Sequence, residues 1–199
     1  MARYRAYEAV CQSVADLLND NYAPADFSPT LEFDVFSVGD FKNGLTAGVS
    51  VFLYRATVNG SLRMPPGRLA PNGDRAIPRL PIDLHLVLTV WAAQASTQHA
   101  IAGWTMRTLE DYPILPPGLL NRAVADTFDP DESVELAIDD LPTEDLLQLW
   151  ELIGPDSYQL SIPYRARNIR LDSELSESAY DPVQDRLHRY GVLQDEATV

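Results

Sequence analysis

One cysteine in 199 residues is the first scarcity. Cys11 alone excludes an internal disulfide and any site built from several thiolates. Long apolar runs are also missing. No stretch reaches the roughly 18 to 20 consecutive apolar residues of a membrane-spanning helix, and MARYRAYEAVCQSV has no apolar signal core. The expectation is a protein made and kept in the cytosol, or one that leaves by a route other than a signal peptide, without membrane insertion. Positive charge is scarce too: 15 Lys and Arg stand against 29 Asp and Glu, for a formal net charge of -14. That balance argues against duplex nucleic acid as a partner, because a phosphate surface needs a basic footprint.

Chemistry-bearing patterns are equally sparse. His85, His99 and His188 show no paired spacing that would converge on a metal. They read as ordinary surface or boundary histidines, and Cys11, with no neighbouring His, reads as a small hydrophobe. None of GxSxG, HExxH, GxGxxG or GxxxxGK[ST] occurs. Glu144 and Asp145 are explained as helix-start acids. No catalytic, cofactor-binding or metal-binding residue is therefore expected, and no cofactor.

What is present is an α+β pattern. Hydrophobic residues make up 46% of the chain and charged ones 22%, as in ordinary soluble domains. Ala6, Val10, Val14, Leu17 and Leu18 recur at helical spacing over 6–19. LEFDVFSV alternates like a strand, GVSVFLYRATV (48–58) is apolar on both faces, and Pro81 opens the strand IDLHLVLTVW. Between these last two lies SLRMPPGRLAPNGDRAIPRLP, an exposed excursion rich in Pro and Gly. Ser96 is placed as the N-cap of a helix to about Asp111, striped by Ile101, Ala102, Met106 and Leu109, with Trp104 at its margin. YPILPPGLL ends it. DESVELAI reads as a short strand with Val134, Leu136 and Ile138 on one face.

The stretch from Leu146 to Tyr164 joins a helix to a strand. Pro142 stands where helices begin, Leu146, Leu149, Trp150 and Ile153 form a stripe, and Gly154-Pro155 stops the helix. The strand that follows places Tyr158, Leu160, Ile162, Tyr164 and Ala166 inward. Its Pro163 marks an edge or a bulge, so the strand has a free side unless something else pairs with it. Trp91, Trp104 and Trp150 are assigned to core packing. The domain is taken as 1–171, followed by a polar tail, 172–199. The fold expected is a mixed or antiparallel sheet of about five strands packed with three helices.

Charge is unevenly spread. Eleven acids and no Lys or Arg lie between Arg122 and Arg165, whereas Phe41 to Gly73 holds Lys42, Arg55, Arg63 and Arg68 and no acid. Such polarity suits head-to-tail docking of one copy on another, or simply a solvated acidic face. The candidate interface residues are Arg55, Arg63, Arg68, Arg75, Arg79, Asp139, Asp140, Arg165 and Arg167.

The succession "VFLYR..N..LR", "DLHLVLTVWA", "L.DYPILPP" and "DLLQLWELIG..Y.LSI.Y", in that order over roughly residues 6 to 170, resembles the cap, or tail-terminator, proteins of phage-tail-like contractile injection systems. The resemblance implies a tail-terminator-like subunit that forms a homohexameric ring at the end of the particle distal to the baseplate. There it would end the inner tube and hold the last ring of the sheath, a structural role without catalysis. The partners implied are its own copies and the sheath and inner-tube proteins, with assembly in the cytoplasm and residence in the particle. A free-standing cytosolic adaptor, and a small hydrolase with a site under the 60–80 loop, remain as alternatives.

Overall fold

The computed structural model describes residues 2–64, 77–153 and 158–173. The chain runs α1 (Ala6–Asn21), β1 (Glu32–Val35), β2 (Gly48–Val58), β3 (Leu80–Trp91), α2 (Ala95–Asp111), β4 (Ile114–Leu115), α3 (Pro117–Ala123), β5 (Val134–Ile138), α4 (Thr143–Ile153) and β6 (Ser161–Leu171). The six strands form one mixed sheet in the order β1-β2-β3-β6-β5-β4. Only the β1–β2 pair is parallel; the others are antiparallel.

The α+β expectation holds, with one strand and one helix more than expected. Both extra elements come from the proline-rich YPILPPGLL. Its prolines end α2 at Asp111, yet Ile114 and Leu115 pair with Glu135 and Val134, and Pro117 starts a new helix. Proline is well suited to a first helical turn, where its missing N–H would have had no partner.

The main core lies on one face of the sheet, under α1, α2 and α3. Val10, Val14 and Leu18 of α1 meet Leu84, Leu86 and Leu88 of β3, together with Tyr164 and Ala166 of β6. The α1 stripe therefore packs as its spacing predicts. In α2 the boundary moves by two residues, with Gln94 rather than Ser96 at the N-cap position. Met106 is 38% exposed, while Thr105 and Thr108 are buried in the stripe with Ile101, Ala102 and Leu109. Trp104 sits half-buried among Tyr22, Phe27 and Phe33, with ring centroids 5.8 to 6.3 Å away.

The opposite face carries a smaller core beneath α4. Leu146, Trp150 and Ile153 cover Phe52, Val87 and Trp91, and Phe36 and Phe41 close the side. A polar rung crosses this face. Trp91 Nε1 donates to Ser50 Oγ at 2.8 Å, Trp150 Nε1 donates to Ser161 Oγ at 3.1 Å, and the Thr89 and Ser161 hydroxyls are 3.2 Å apart. Each buried indole N–H thus has an acceptor, as low-polarity surroundings require. Gly44, at φ 59°, lies so close that a Cβ there would sit 2.4 Å from the Trp91 ring. Gly48, at φ 145°, lets β2 approach β1, since a Cβ would be 1.9 Å from the Glu32 carbonyl oxygen.

Of the readings that Pro163 allowed for β6, the edge with a free side is not realised. This strand lies inside the sheet, between β3 and β5. Pro163 is tolerated because of where the ladder ends. Its carbonyl accepts from Asp139 N at 3.0 Å, so its nitrogen also points to the β5 side, and the β5 pairing stops at Ile138 opposite Tyr164. Antiparallel geometry turns both groups of a residue the same way, so the lost donor falls beyond the last regular rung. Tyr158 is likewise not inward; it is 52% exposed, precedes the strand and meets Trp150 edge-on at 5.6 Å. Ile138 alternates onto the same face as Val134 and Leu136, as expected, and is 49% exposed at the strand's end. The Gly154-Pro155 stop lies outside the described residues.

Candidate interaction surfaces

Among the described residues, several of the candidate charges meet one another within the subunit. The second face of β3 brings several of them together, because Asp83, His85 and Val87 alternate outward from the main core. Arg55 lies opposite His85 on β2, and Arg165 lies opposite it on β6. Asp139, one residue past β5, reaches the same place. Its Oδ2 is 2.5 Å from His85 Nδ1 and accepts from Tyr54 OH at 3.4 Å, and its Oδ1 is 3.9 Å from Arg165 Nε.

His85 is therefore not a surface or boundary histidine; it is 3% exposed. A carboxylate only accepts, so Nδ1 carries the proton that faces it, and on the other side of the ring Nε2 lies 3.0 Å from the Thr57 hydroxyl. Arg55 Nη2 stands 3.5 Å from the same Nε2. The order carboxylate, imidazole, hydroxyl ties together β2, β3 and the end of β5. Burial, and then the Asp139 charge, push the Tyr54 phenol up to about 12.

Other candidates find partners within the subunit. Arg79 Nε is 3.0 Å from Asp172 Oδ1, and its Nη1 is 3.8 Å from Glu132 Oε1. Arg167 Nη2 donates to Glu135 Oε1 at 2.5 Å. Asp140 and Arg63 are exposed, whereas Arg68 and Arg75 lie outside the described residues. Sequence reasoning missed the His85–Asp139 pair because 54 positions separate its members. The available signal was a histidine in a strand that is apolar on both faces.

Cys11 is buried, and desolvation pushes its thiol up to about 12, as a small hydrophobe in a helix stripe should behave. An open cleft of about 990 Å³ lies between the N-terminal segment, the α3–β5 connection and the end of β6, lined by Arg3, Tyr4, Asn121, Asp126, Phe128 and Asp172 among others. Its lining includes none of His85, His99 or Cys11. Among the described residues no helix is long and apolar enough to cross a membrane.

Comparison with known proteins adds a family and a fold. The family model described as the Pvc16 N-terminal domain matches residues 9–185. No curated protein matches the chain. Two solved structures are similar in fold. One is the PVC sheath/tube terminator of an extracellular contractile injection system in the extended state, with TM-score 0.54, 16% identity, and coverage of 95% of this chain and 65% of that one. The other is the anti-feeding prophage cap, a tube terminating cap, with TM-score 0.53, 16% identity, and coverage of 91% of this chain and 60% of that one. The chain thus spans less than two thirds of the length of either.

Proposed function

The chain belongs to the Pvc16 N-terminal domain family, and from that premise we propose that it is a structural cap of a contractile injection particle. In this reading six copies form a ring at the end distal to the baseplate. The ring ends the inner tube and holds the last ring of the sheath. The observation that carries the reading is the family match over residues 9–185. Its fold, shared with chains described as a sheath/tube terminator and a tube terminating cap, supports the reading.

The role we infer is one of shape and contact rather than catalysis, with assembly in the cytoplasm before the particle leaves. The cap domain is taken as 1–171, where β6 ends, and 172–199 as a polar extension. Ring, tube and sheath contacts are assigned to Arg55, Arg63, Arg68, Arg75, Arg79, Asp139, Asp140, Arg165 and Arg167. Those already paired within the subunit, Arg79, Asp139, Arg165 and Arg167, act in this reading as braces that hold the contact surface. Arg63 and Asp140, exposed at the surface, are the ones offered to a neighbour.

The test is to tag the full chain in its native cells, isolate it under mild conditions and view the eluate by negative-stain electron microscopy. Tube-and-sheath particles held by one end are the expected result. A lone protein, or one bound to a soluble partner, would replace the cap with a free-standing adaptor on the same fold.

A further inference from the structure

Among the described residues the sheet leaves a length of backbone unpaired along β2. β1 covers only Gly48 to Val51, and the last bond on that side runs from Phe36 N to Val51 O at 2.9 Å. Beyond it β2 continues for seven residues, Phe52 to Val58, about 23 Å of strand. The direction of its free groups follows from two bonds. Val51 O faces β1, so by alternation Leu53 faces the same way. Past the irregularity between Leu53 and Arg55, Asn59 N donates to Pro81 O at 2.9 Å, so Arg55 and Thr57 face β3, and Ala56 and Val58 turn outward. Arg55 and Ala56 are exposed, as is Val58 at 48%.

An open edge binds by adding a strand, with affinity from main-chain hydrogen bonds and selection by flanking side chains. Here the selection is for negative charge. The chain from Phe41 to Gly73 contains no acid, and Arg55 stands exposed on the edge itself. The bulge and the arginine are the usual protections of an edge against indiscriminate pairing, and a partner that brings carboxylates converts the arginine into an attraction. A second copy is a poor occupant. The other strands at the ends of its sheet, β1 and β4, have four and two residues, and pairing β2 with β2 about a two-fold axis would bring two cationic edges together. We propose that the outer edge of β2, from Phe52 to Val58, receives an extended acidic segment of a different polypeptide as a seventh strand. The inference stands on the sheet itself and does not require the cap reading.

Amide hydrogen exchange tests it, on the isolated full chain and on the assembly captured from native cells. Exchange at Ala56 and Val58 is expected to be fast in the isolated chain and slowed by about 100-fold or more in the assembly, as for amides that join a ladder. Equal exchange in the two samples, or protection already present in the isolated chain at high concentration, overturns the proposal. Ala56→Pro removes an outward donor while leaving the bonds to β3 in place, and Arg55→Glu reverses the selecting charge. Each variant, checked first for an unchanged unfolding temperature, is expected to lose the protection and the captured partner. Should the proline variant fail to fold, the charge variant alone decides, and its normal assembly counts against the idea. Micrographs of the same eluate report separately whether the assembly is a tube-and-sheath particle, so either reading can fall without the other.

Discussion

Asp139 serves three neighbours from one carboxylate: His85, Tyr54 and, at longer range, Arg165. Replacing it by alanine strands the His85 Nδ1–H in a place where water does not reach. The Asp139→Ala variant should therefore lose about 1–3 kcal/mol in urea unfolding, the usual effect of a buried donor left without an acceptor. An unchanged midpoint would show that water or another side chain takes over. A second residue-scale prediction concerns alkali. Burial pushes Cys11, Tyr54 and Tyr164 up to about 12, from ordinary values of 9.0 for the thiol and 10.0 for the phenols. Between those limits the unfolded chain releases protons that the folded chain keeps, so stability is full below pH 9 and falls as pH rises toward 12. Thermal unfolding at pH 8 and pH 11 should give the lower temperature at pH 11; a flat profile would contradict the burial. Cys11 was legible because its helix stripe dictates its surroundings. His85 was not, since a partner supplied from another strand leaves no local trace.

At the scale of elements, α4 shows how a well-made helix is held. Leu146 N donates to Pro142 O at 3.0 Å, the acids Glu144 and Asp145 occupy the first turn, and Trp150 is the anchor, 4% exposed with its indole hydrogen on Ser161. Trp150→Ala should cost about 3–5 kcal/mol, as for large aromatic truncations in cores, and should weaken the near-ultraviolet circular dichroism that the aromatic cluster generates. A loss under 1 kcal/mol would mean that α4 is dispensable to the sheet. Periodicity placed α1, β2, β3 and α4 well, because each helix buries one stripe, β3 buries both faces, and β2 buries both over Gly48 to Phe52. It left the place of β6 open, because its proline has an exposed-edge meaning only until the end of the β5 ladder is known. It also passed over β4, whose two residues carry no pattern of their own. Both failures have one cause: strand order is set by long-range pairing, which local spacing does not encode.

On the scale of the molecule, some of the acids and bases that are far apart in the sequence meet within the folded chain. Arg79 reaches Glu132 and Asp172, and Arg167 reaches Glu135, so part of the sequence asymmetry is neutralised internally. The exposed remainder sets the prediction for assembly. Reversing charge at Arg63, together with Arg68 and Arg75, should weaken incorporation into particles while changing the unfolding free energy of the isolated subunit by no more than about 0.5 kcal/mol. Normal incorporation would remove the 60–80 loop from the contacts. The interior position of β6 bears on how the molecule comes into being. Its residues, 161–171, are the last of the sheet to be synthesised, yet they bridge β3 to β5. A nascent chain that has made everything up to α4 therefore holds two fragments of sheet with their inner edges bare. Such pairing across long sequence separation is slow to form and open to wrong partners. Synthesis thus sets a clock: the subunit cannot close its core until its final strand has emerged, and for that interval the flanks of β3 and β5 are the surfaces that need shielding from other chains.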